Sequence, residues 1–269
     1  MPRELLKRWL SRRPRVTVQT ACLPAGTRVY AIGDIHGRLD LLTALHEAIL
    51  EDHAGRPAVE TASLIYLGDY VDRGPDSRGV IDLLVSDPLP TFGVVHLMGN
   101  HDEAMLRFLD DPSIGPTWSS FGGDATLLSY GVRATPGLIG MKRHADMRRQ
   151  LVERIPASHV DFLRDLQMLC EAGDYAFVHA GVKPGVPLGA QRAADALWIR
   201  DEFLSSPVDH GRVIVHGHTP TAAPVVRANR IGIDTGAFAS GVLTCLGLED
   251  DQRWFLATAA AERTRAAAR

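Results

Sequence analysis

The chain has 269 residues, 45% of them hydrophobic and 23% charged, with a formal net charge of −3 at pH 7. That is enough apolar material for one large core, and the charge balance carries no general bias towards nucleic acid or membrane. No apolar run approaches the roughly 20 residues that span a bilayer. The three cysteines, Cys22, Cys170 and Cys245, are far apart and form no CxxC metal site; they fit a reducing, cytoplasmic setting in which they are buried and inert.

Residues 1–15 form a basic amphipathic N-terminal segment, with Arg3, Lys7, Arg8, Arg12, Arg13 and Arg15 against the single acid Glu4. Leu5, Leu6, Trp9 and Leu10 fall on one side of a helix, a candidate for weak contact with a membrane surface or a partner. It lacks the apolar core and cleavage pattern of a secretory signal. The folded domain is expected over 16–258. Residues 16–27 read as an approach strand and turn. Arg28–Ile32 is a short apolar strand running into Gly33-Asp34-Ile35-His36-Gly37. A helix with an apolar face follows, marked by Leu39, Leu41, Leu42, Leu45, Ile49 and Leu50, and its His46 and His53 read as surface histidines.

Ser63–Leu67 is a second buried strand, and it ends in Gly68-Asp69-Tyr70-Val71-Asp72-Arg73-Gly74. Asp76 and Ser77 then cap a helix. Asp69 and Asp72 cannot both remain ionised and bare in a cleft; a metal cation or an arginine partner resolves the conflict. The construction recurs. Gly93–Met98 leads into Gly99-Asn100-His101-Asp102, Tyr175–Val178 into His179-Ala180-Gly181, and Val213–Val215 into His216-Gly217-His218-Thr219. Five times an apolar strand ends in a glycine-containing turn that carries His, Asp or Asn. The alternation with helices argues for βαβ units, whose ligands bind at the carboxyl ends of the strands.

Between these turns, residues 110–171 read as a helical insertion flanking the site, with Pro156 breaking the helix over 151–168. The runs 230–234, 242–248 and 253–257 read as strands of a second sheet, and 259–269 is an Ala- and Arg-rich tail.

Taken together, GDIHG at 33–37, GDYVDRG at 68–74, GNHD at 99–102, HAG at 179–181 and HGHTP at 216–220 resemble the calcineurin-like metallophosphoesterases. Within that group the resemblance is to the phosphoprotein phosphatases of the bacterial Ser/Thr type, and it spans residues 28–240. It implies an α/β fold in which a two-sheet β-sandwich is flanked by helices (αββα). Two divalent metals are implied, with Mn²⁺ expected ahead of iron or zinc. Asp34, His36 and Asp69 would hold one and Asp69, Asn100, His179 and His218 the other, Asp69 bridging. Carboxylate, amide oxygen and imidazole suit such metals. His218 aligns with the family's ligand and His216 does not. Pro220 stands where many wider-family esterases have another histidine, so the first metal would carry fewer protein ligands.

The same resemblance implies a water activated by both metals for in-line attack on phosphate. His101 would be the leaving-group acid, oriented by Asp72. Arg73 and Arg200, the latter in the LWxR-like run 197–200, would bind the substrate phosphate. The stretch from Gly122 to Gly131 resembles a GGxxTLxSYG segment of bacterial members, preceded by Phe121 where the family often has Asn. The function implied is a metal-dependent phosphomonoesterase acting on a phosphorylated protein or small phosphoester. The alternative is a hydrolase of diadenosine tetraphosphate, whose bacterial enzymes resemble GDLVARG where this chain has Asp72. A sensor that lost the reaction should lack a ligand or the His–Asp pair, and this chain lacks neither. A nuclease is disfavoured by the absence of a broad basic pattern.

Overall fold

The computed structural model describes residues 16–86 and 89–258. The basic segment 1–15 and the tail 259–269 lie outside the described residues. Two five-stranded sheets stack face to face. The first has the order β10-β9-β1-β2-β3, built from β1 (Thr27–Ile32), β2 (Thr61–Tyr66), β3 (Gly93–His96), β9 (Thr244–Glu249) and β10 (Gln252–Ala257). The second has the order β4-β5-β6-β8-β7, from β4 (Leu169–Ala172), β5 (Tyr175–Val178), β6 (Val213–His216), β7 (Val225–Arg227) and β8 (Arg230–Gly232). β1, β2 and β3 run parallel, as do β5, β6 and β8.

Side chains alternate across each strand, and this alternation makes the layers. Val29 and Ala31 of β1 face inwards with Ile65 and Leu67 against Tyr175, Phe177, Val213, Val215 and Ile231 of the second sheet. Their neighbours Tyr30 and Ile32 point the other way, under α1 (Leu39–Gly55), α2 (Ser77–Val85) and α3 (Asn100–Asp110). On the far face, Ala176, Val178 and Ile214 pack against Ala196, Ile199 and Phe203. Each sheet is therefore buried on both faces, which is why its parallel strands read as continuous apolar runs.

Between β3 and β4 the chain is helical: α3 is followed by α4 (Gly115–Ser120), α5 (Gly123–Ser129), α6 (Gly140–Arg154) and α7 (Ala157–Arg164). Pro156 separates the last two, standing in extended conformation before the first residue of α7. Three short helices complete the described chain, α8 (Ala193–Trp198), α9 (Asp201–Leu204) and α10 (Ala237–Ser240). Among the described residues no helix is long and apolar enough to cross a membrane.

Several sequence expectations need correction. Only β8 of the three C-terminal strands belongs to the second sheet. β9 and β10 extend the first, because β9 pairs antiparallel with β1 in the register Arg28↔Glu249 to Ile32↔Cys245. Alternation reveals a strand, whereas its partner depends on contacts more than 200 residues away. Residues 16–26 form turns, not a strand, and β4 and β7 were not foreseen. His46 is buried, not superficial: its Nε2 shares a 2.8 Å hydrogen bond with the Tyr66 hydroxyl. Cys245 is buried, Cys170 half-buried and Cys22 exposed, so the expectation of uniformly buried thiols fails at Cys22.

Candidate functional site

The carboxyl ends of β1, β2, β3, β5 and β6 converge on one spot, and the backbone of the turns holds them together. Asp69 O accepts the amides of Ile35 (3.2 Å) and His36 (2.8 Å), and Tyr70 O accepts that of Gly37 (2.9 Å). The second sheet is tied in by His179, whose Nδ1 bonds Leu67 O at 2.9 Å, and by the amide of His218, which donates to the Asp34 carboxylate at 3.0 and 3.2 Å. Asp102, in the first turn of α3, links two turns at once. Its Oδ2 accepts the amides of Asp69 (2.8 Å) and Gly99 (2.9 Å), and its Oδ1 that of Tyr70 (3.0 Å).

Six non-glycine residues among those described have left-handed backbone, and five are here: His36 (φ 47°), Asp69 (54°), Asp72 (72°), Arg73 (66°) and His218 (64°). Such conformations cost energy and persist where the surroundings over-determine them. Two glycines are required by close approach. A Cβ on Gly99 would strike Asp69 Oδ1, and one on Gly217 would strike Asp34 Oδ1.

The donor atoms face one another. Asp69 presents Oδ2 to His36 Nε2 at 3.4 Å and Oδ1 to His179 Nε2 at 3.5 Å. Asn100 Oδ1 lies 2.9 Å from both His179 Nε2 and His218 Nδ1. Two groups, His36/Asp69/His101 and Asp69/His179/His218, bring all their donor atoms within 4.8 Å of one another, and Asp69 belongs to both. Octahedral ligands about 2.1 Å from a common cation lie about 3 Å from each other, so these spacings fit divalent metals. Asp34 is in neither of these groups; it is near enough for the Asp69 charge to act on it, and both its carboxylate oxygens take the His218 amide.

The electrostatics point the same way. Burial pushes the Asp34 carboxyl well up, and the nearby Asp234 and Asp69 add to it. Burial acts on Asp69 too, but the imidazoles of His179, His101 and His36 outweigh it and hold its carboxyl below the ordinary range. Burial depresses His36 to about 3 and His218 to about 2, leaving neutral rings with lone pairs to offer. His218 Nε2 is buried without a hydrogen-bond partner. A pocket crowded with carboxyls and neutral imidazoles is short of positive charge.

His101 donates from Nδ1 to Asp72 Oδ2 at 2.7 Å. Burial lowers its affinity for a proton, yet Asp69 and Asp72 more than compensate and its pKa is raised. Arg73 spans two rings, with Nη1 2.9 Å from His36 Nε2 and Nη2 3.0 Å from His101 Nε2. Arg200 is exposed where the chain enters α9; burial is the main cause of the depressed His179 and His218, and the Arg200 charge adds to it. His216 stands apart. Its Nδ1 faces Gly217 O at 3.0 Å and its ring meets Phe203 edge-on at 5.1 Å.

Sequence reasoning passed over several residues that shape this centre. Trp118 Nε1 donates to Asp72 Oδ2 at 2.9 Å and Thr126 Oγ1 to Asp72 Oδ1 at 2.7 Å. Nothing in the helical stretch marks Trp118, whereas Thr126 lies in the family-like segment. Asp234 is buried beside Asp34 with its carboxyl pushed up to about 6, chiefly by burial. Its strand, β8, also ends in a polar, glycine-containing turn, Asp234-Thr235-Gly236, a sixth instance of the signal that picked out the other five.

A family model described as calcineurin-like phosphoesterase matches residues 27–235. The chain is 26% identical over 238 residues to an asymmetrical bis(5'-nucleosyl)-tetraphosphatase, PrpE, of Bacillus velezensis, covering 79% of this chain and 86% of that one. It is 28% identical over 228 residues to serine/threonine-protein phosphatase 1 of Salmonella typhimurium, covering 80% and 89%. A cold-active protein-tyrosine phosphatase of a psychrophilic Shewanella superposes with a TM-score of 0.50 at 20% identity, covering 87% and 83%, a likeness of fold alone. With the family model spanning most of its length and phosphatases among its relatives, the chain belongs to the calcineurin-like phosphoesterases and is a hydrolase of the phosphatase type.

Proposed function

We propose that the chain is a metal-dependent phosphomonoesterase acting on phosphorylated proteins, of the Ser/Thr phosphatase type. The observation that carries this reading is the His101–Asp72 pair, joined at 2.7 Å beside the cluster of donor atoms. The family uses divalent metals. Asp34, His36 and Asp69 would hold one, and Asp69, Asn100, His179 and His218 the other. Support for a shared Asp69 comes from its two oxygens, one turned to His36 and the other to His179. When bound, a pair of such cations, Mn²⁺ before iron or zinc, supplies an activated water and neutralises charge at the phosphate.

The protein's own groups do the rest. Arg73 and Arg200 bind free phosphate oxygens and orient the ester. His101 gives its proton to the departing oxygen, and Asp72 fixes the ring so that Nε2 faces the substrate. Trp118 and Thr126 hold Asp72 in turn. A cytoplasmic setting suits the free thiols.

The relatives named as bis(5'-nucleosyl)-tetraphosphatases favour a second reading, hydrolysis of dinucleoside polyphosphates. One Mn²⁺-loaded preparation assayed on phosphoseryl peptides and on diadenosine tetraphosphate separates them. Faster turnover of the peptides is expected; preference for the dinucleotide by orders of magnitude would overturn the choice. His101→Asn adds a check on mechanism: its loss should be smaller on an aryl phosphate with a good leaving group than on phosphoserine. Equal losses would leave His101 a structural part only.

A further inference from the structure

We propose that the pocket between the turn after α9 and the β7–β8 hairpin, where Arg227 and Arg230 stand side by side, is a phosphate-binding site separate from the candidate metal centre. Its ligand is a phosphate group, either the free ion or one carried on a phosphorylated peptide.

The sequence places two like charges where a sheet disfavours them. Only Ala228 and Asn229 separate β7 from β8, and the antiparallel register sets Arg227 directly opposite Arg230. Side chains so paired have Cβ atoms about 5 Å apart on one face, and like charges there repel. Arg230 is only 8% exposed, so its charge is also cut off from water. A cation buried to that degree is normally held by a carboxylate, as Arg28 is by Glu249 at 2.6 Å. Arg230 has no such partner: its Nη2 donates to Leu204 O at 2.7 Å, and its guanidinium lies 6.0 Å from the Phe203 ring. Burial lowers its pKa and the Arg227 charge lowers it further, with no carboxylate among the described residues to offset them. Neither arginine forms an ion pair with a described residue.

The pair opens into a cavity of about 380 Å³ shared with Ser205, Ser206 and Pro207, and no acid lines it. Its walls are tied together. Asn229, itself buried, donates from Nδ2 to Ser206 O at 2.9 Å and to Val208 O at 2.8 Å. The segment after α9 is thereby fastened to the hairpin turn, and the cavity belongs to the fold. It is also remote from the donor cluster. From Arg230 the chain needs four residues of extended backbone, about 13 Å, to reach Asp234 beside Asp34.

Charge and shape decide what fits. An anion between the two guanidiniums turns their repulsion into attraction and supplies the counter-charge that Arg230 lacks. A carboxylate offers two oxygens, enough for one guanidinium fork. A phosphate group has oxygens to spare for a second fork and carries more charge, so it matches a pair of arginines better.

Equilibrium dialysis of radiolabelled inorganic phosphate against the full Mn²⁺-loaded chain tests the site. Two charge-assisted contacts should hold the ion with a Kd of about 1 mM or tighter. Arg227→Gln, a change at an exposed side chain, should bind one phosphate fewer per chain, with kcat/KM on a small phosphoester matching the wild type. Chelating the metal should leave that difference between the two chains in place. Arg227→Glu sets a carboxylate across the hairpin from Arg230 and should displace the ion as completely. Equal uptake by the wild type and Arg227→Gln overturns the site. So does a difference that chelation abolishes, because the ion then sits at the metals. A phosphoseryl peptide, dialysed with chelator present, reads the source. Tighter binding of the peptide than of the free ion, lost in Arg227→Gln, supports the site and assigns it to a phosphorylated chain; the reverse order, lost in the same variant, supports it as a site for inorganic phosphate.

Discussion

Two buried polar networks lie towards opposite ends of β1, and they are built on opposite principles. Near its start, Arg28 is fully buried and bonds Glu249 at 2.6 Å and Pro57 O at 2.7 Å. Asp52 next to it accepts from the Tyr30 hydroxyl, the Trp254 indole and the Arg56 guanidinium. Burial pushes the Asp52 carboxyl up, yet Arg56 and Tyr30 bring it below the ordinary range. Every charge there has its counter-charge. Beyond the other end of β1, Asp34, Asp69, Asp72, Asp102 and Asp234 are all buried, and the exposed Arg73 reaches in only as far as the His36 and His101 rings. A balanced network fastens the fold, whereas an unbalanced one is a demand for cations and marks a site.

Substitutions can break that contrast from either side. The largest effect is expected for Asp69→Asn: kcat/KM on a phosphopeptide should fall by at least about a thousandfold, with metal content lost by elemental analysis. Full metal occupancy in that variant would contradict a bridging carboxylate. At the other network, Arg28→Met should lower the free energy of unfolding by about 3 kcal/mol in a denaturant titration. Its metal content per chain should match the wild type, and a drop would mean that the networks are coupled. Metal alone sharpens the comparison. Mn²⁺ at about a hundred times its Kd should stabilise the wild type by about 2.7 kcal/mol against the chelated protein; the gain should vanish in Asp69→Asn and persist in Arg28→Met.

The smallest effect is in acid stability, outside both networks. Burial holds His46 down to about 4 in the folded chain, whereas the exposed imidazole takes its proton near 6.5. The unfolded state therefore binds the proton first, and stability is lost as pH falls through that window. His46→Gln keeps a partner for the Tyr66 hydroxyl without the titration. It should flatten the loss of stability between about pH 7 and 5 by on the order of 1 kcal/mol. An unchanged slope in thermal melts would place the acid sensitivity at other histidines.

The convergence of the candidate centre was legible in the sequence because its parts are local. Each strand end and its turn occupy about ten residues, and Gly-Asp, Gly-Asn-His or His-Ala-Gly after an apolar run is visible without knowing the partners. The sheet membership of β9 and β10 was not legible, since it rests on the pairing of Arg28 with Glu249. Nor was the burial of His46, which follows from Tyr66 at the end of the next strand. Trp118 escaped for a related reason: an indole in a helix usually reads as core, and its bond to Asp72 spans 46 residues. Asp234 was the avoidable omission, because its turn carried the same signature as the rest.

The grip on Asp72 bears on how this protein can diverge. With His101, Trp118 and Thr126 all anchored on one carboxylate, two helices outside the sandwich are pinned to the residue that also holds the His101 ring. The turn between them, Phe121-Gly122, is held as well, because Gly122 O accepts the Arg73 amide at 3.2 Å and Phe121 O accepts from the Arg73 side chain at 3.4 Å. Grafting the segment from a cousin enzyme should therefore succeed only where the indole, the hydroxyl and the two-residue turn between their helices are all kept.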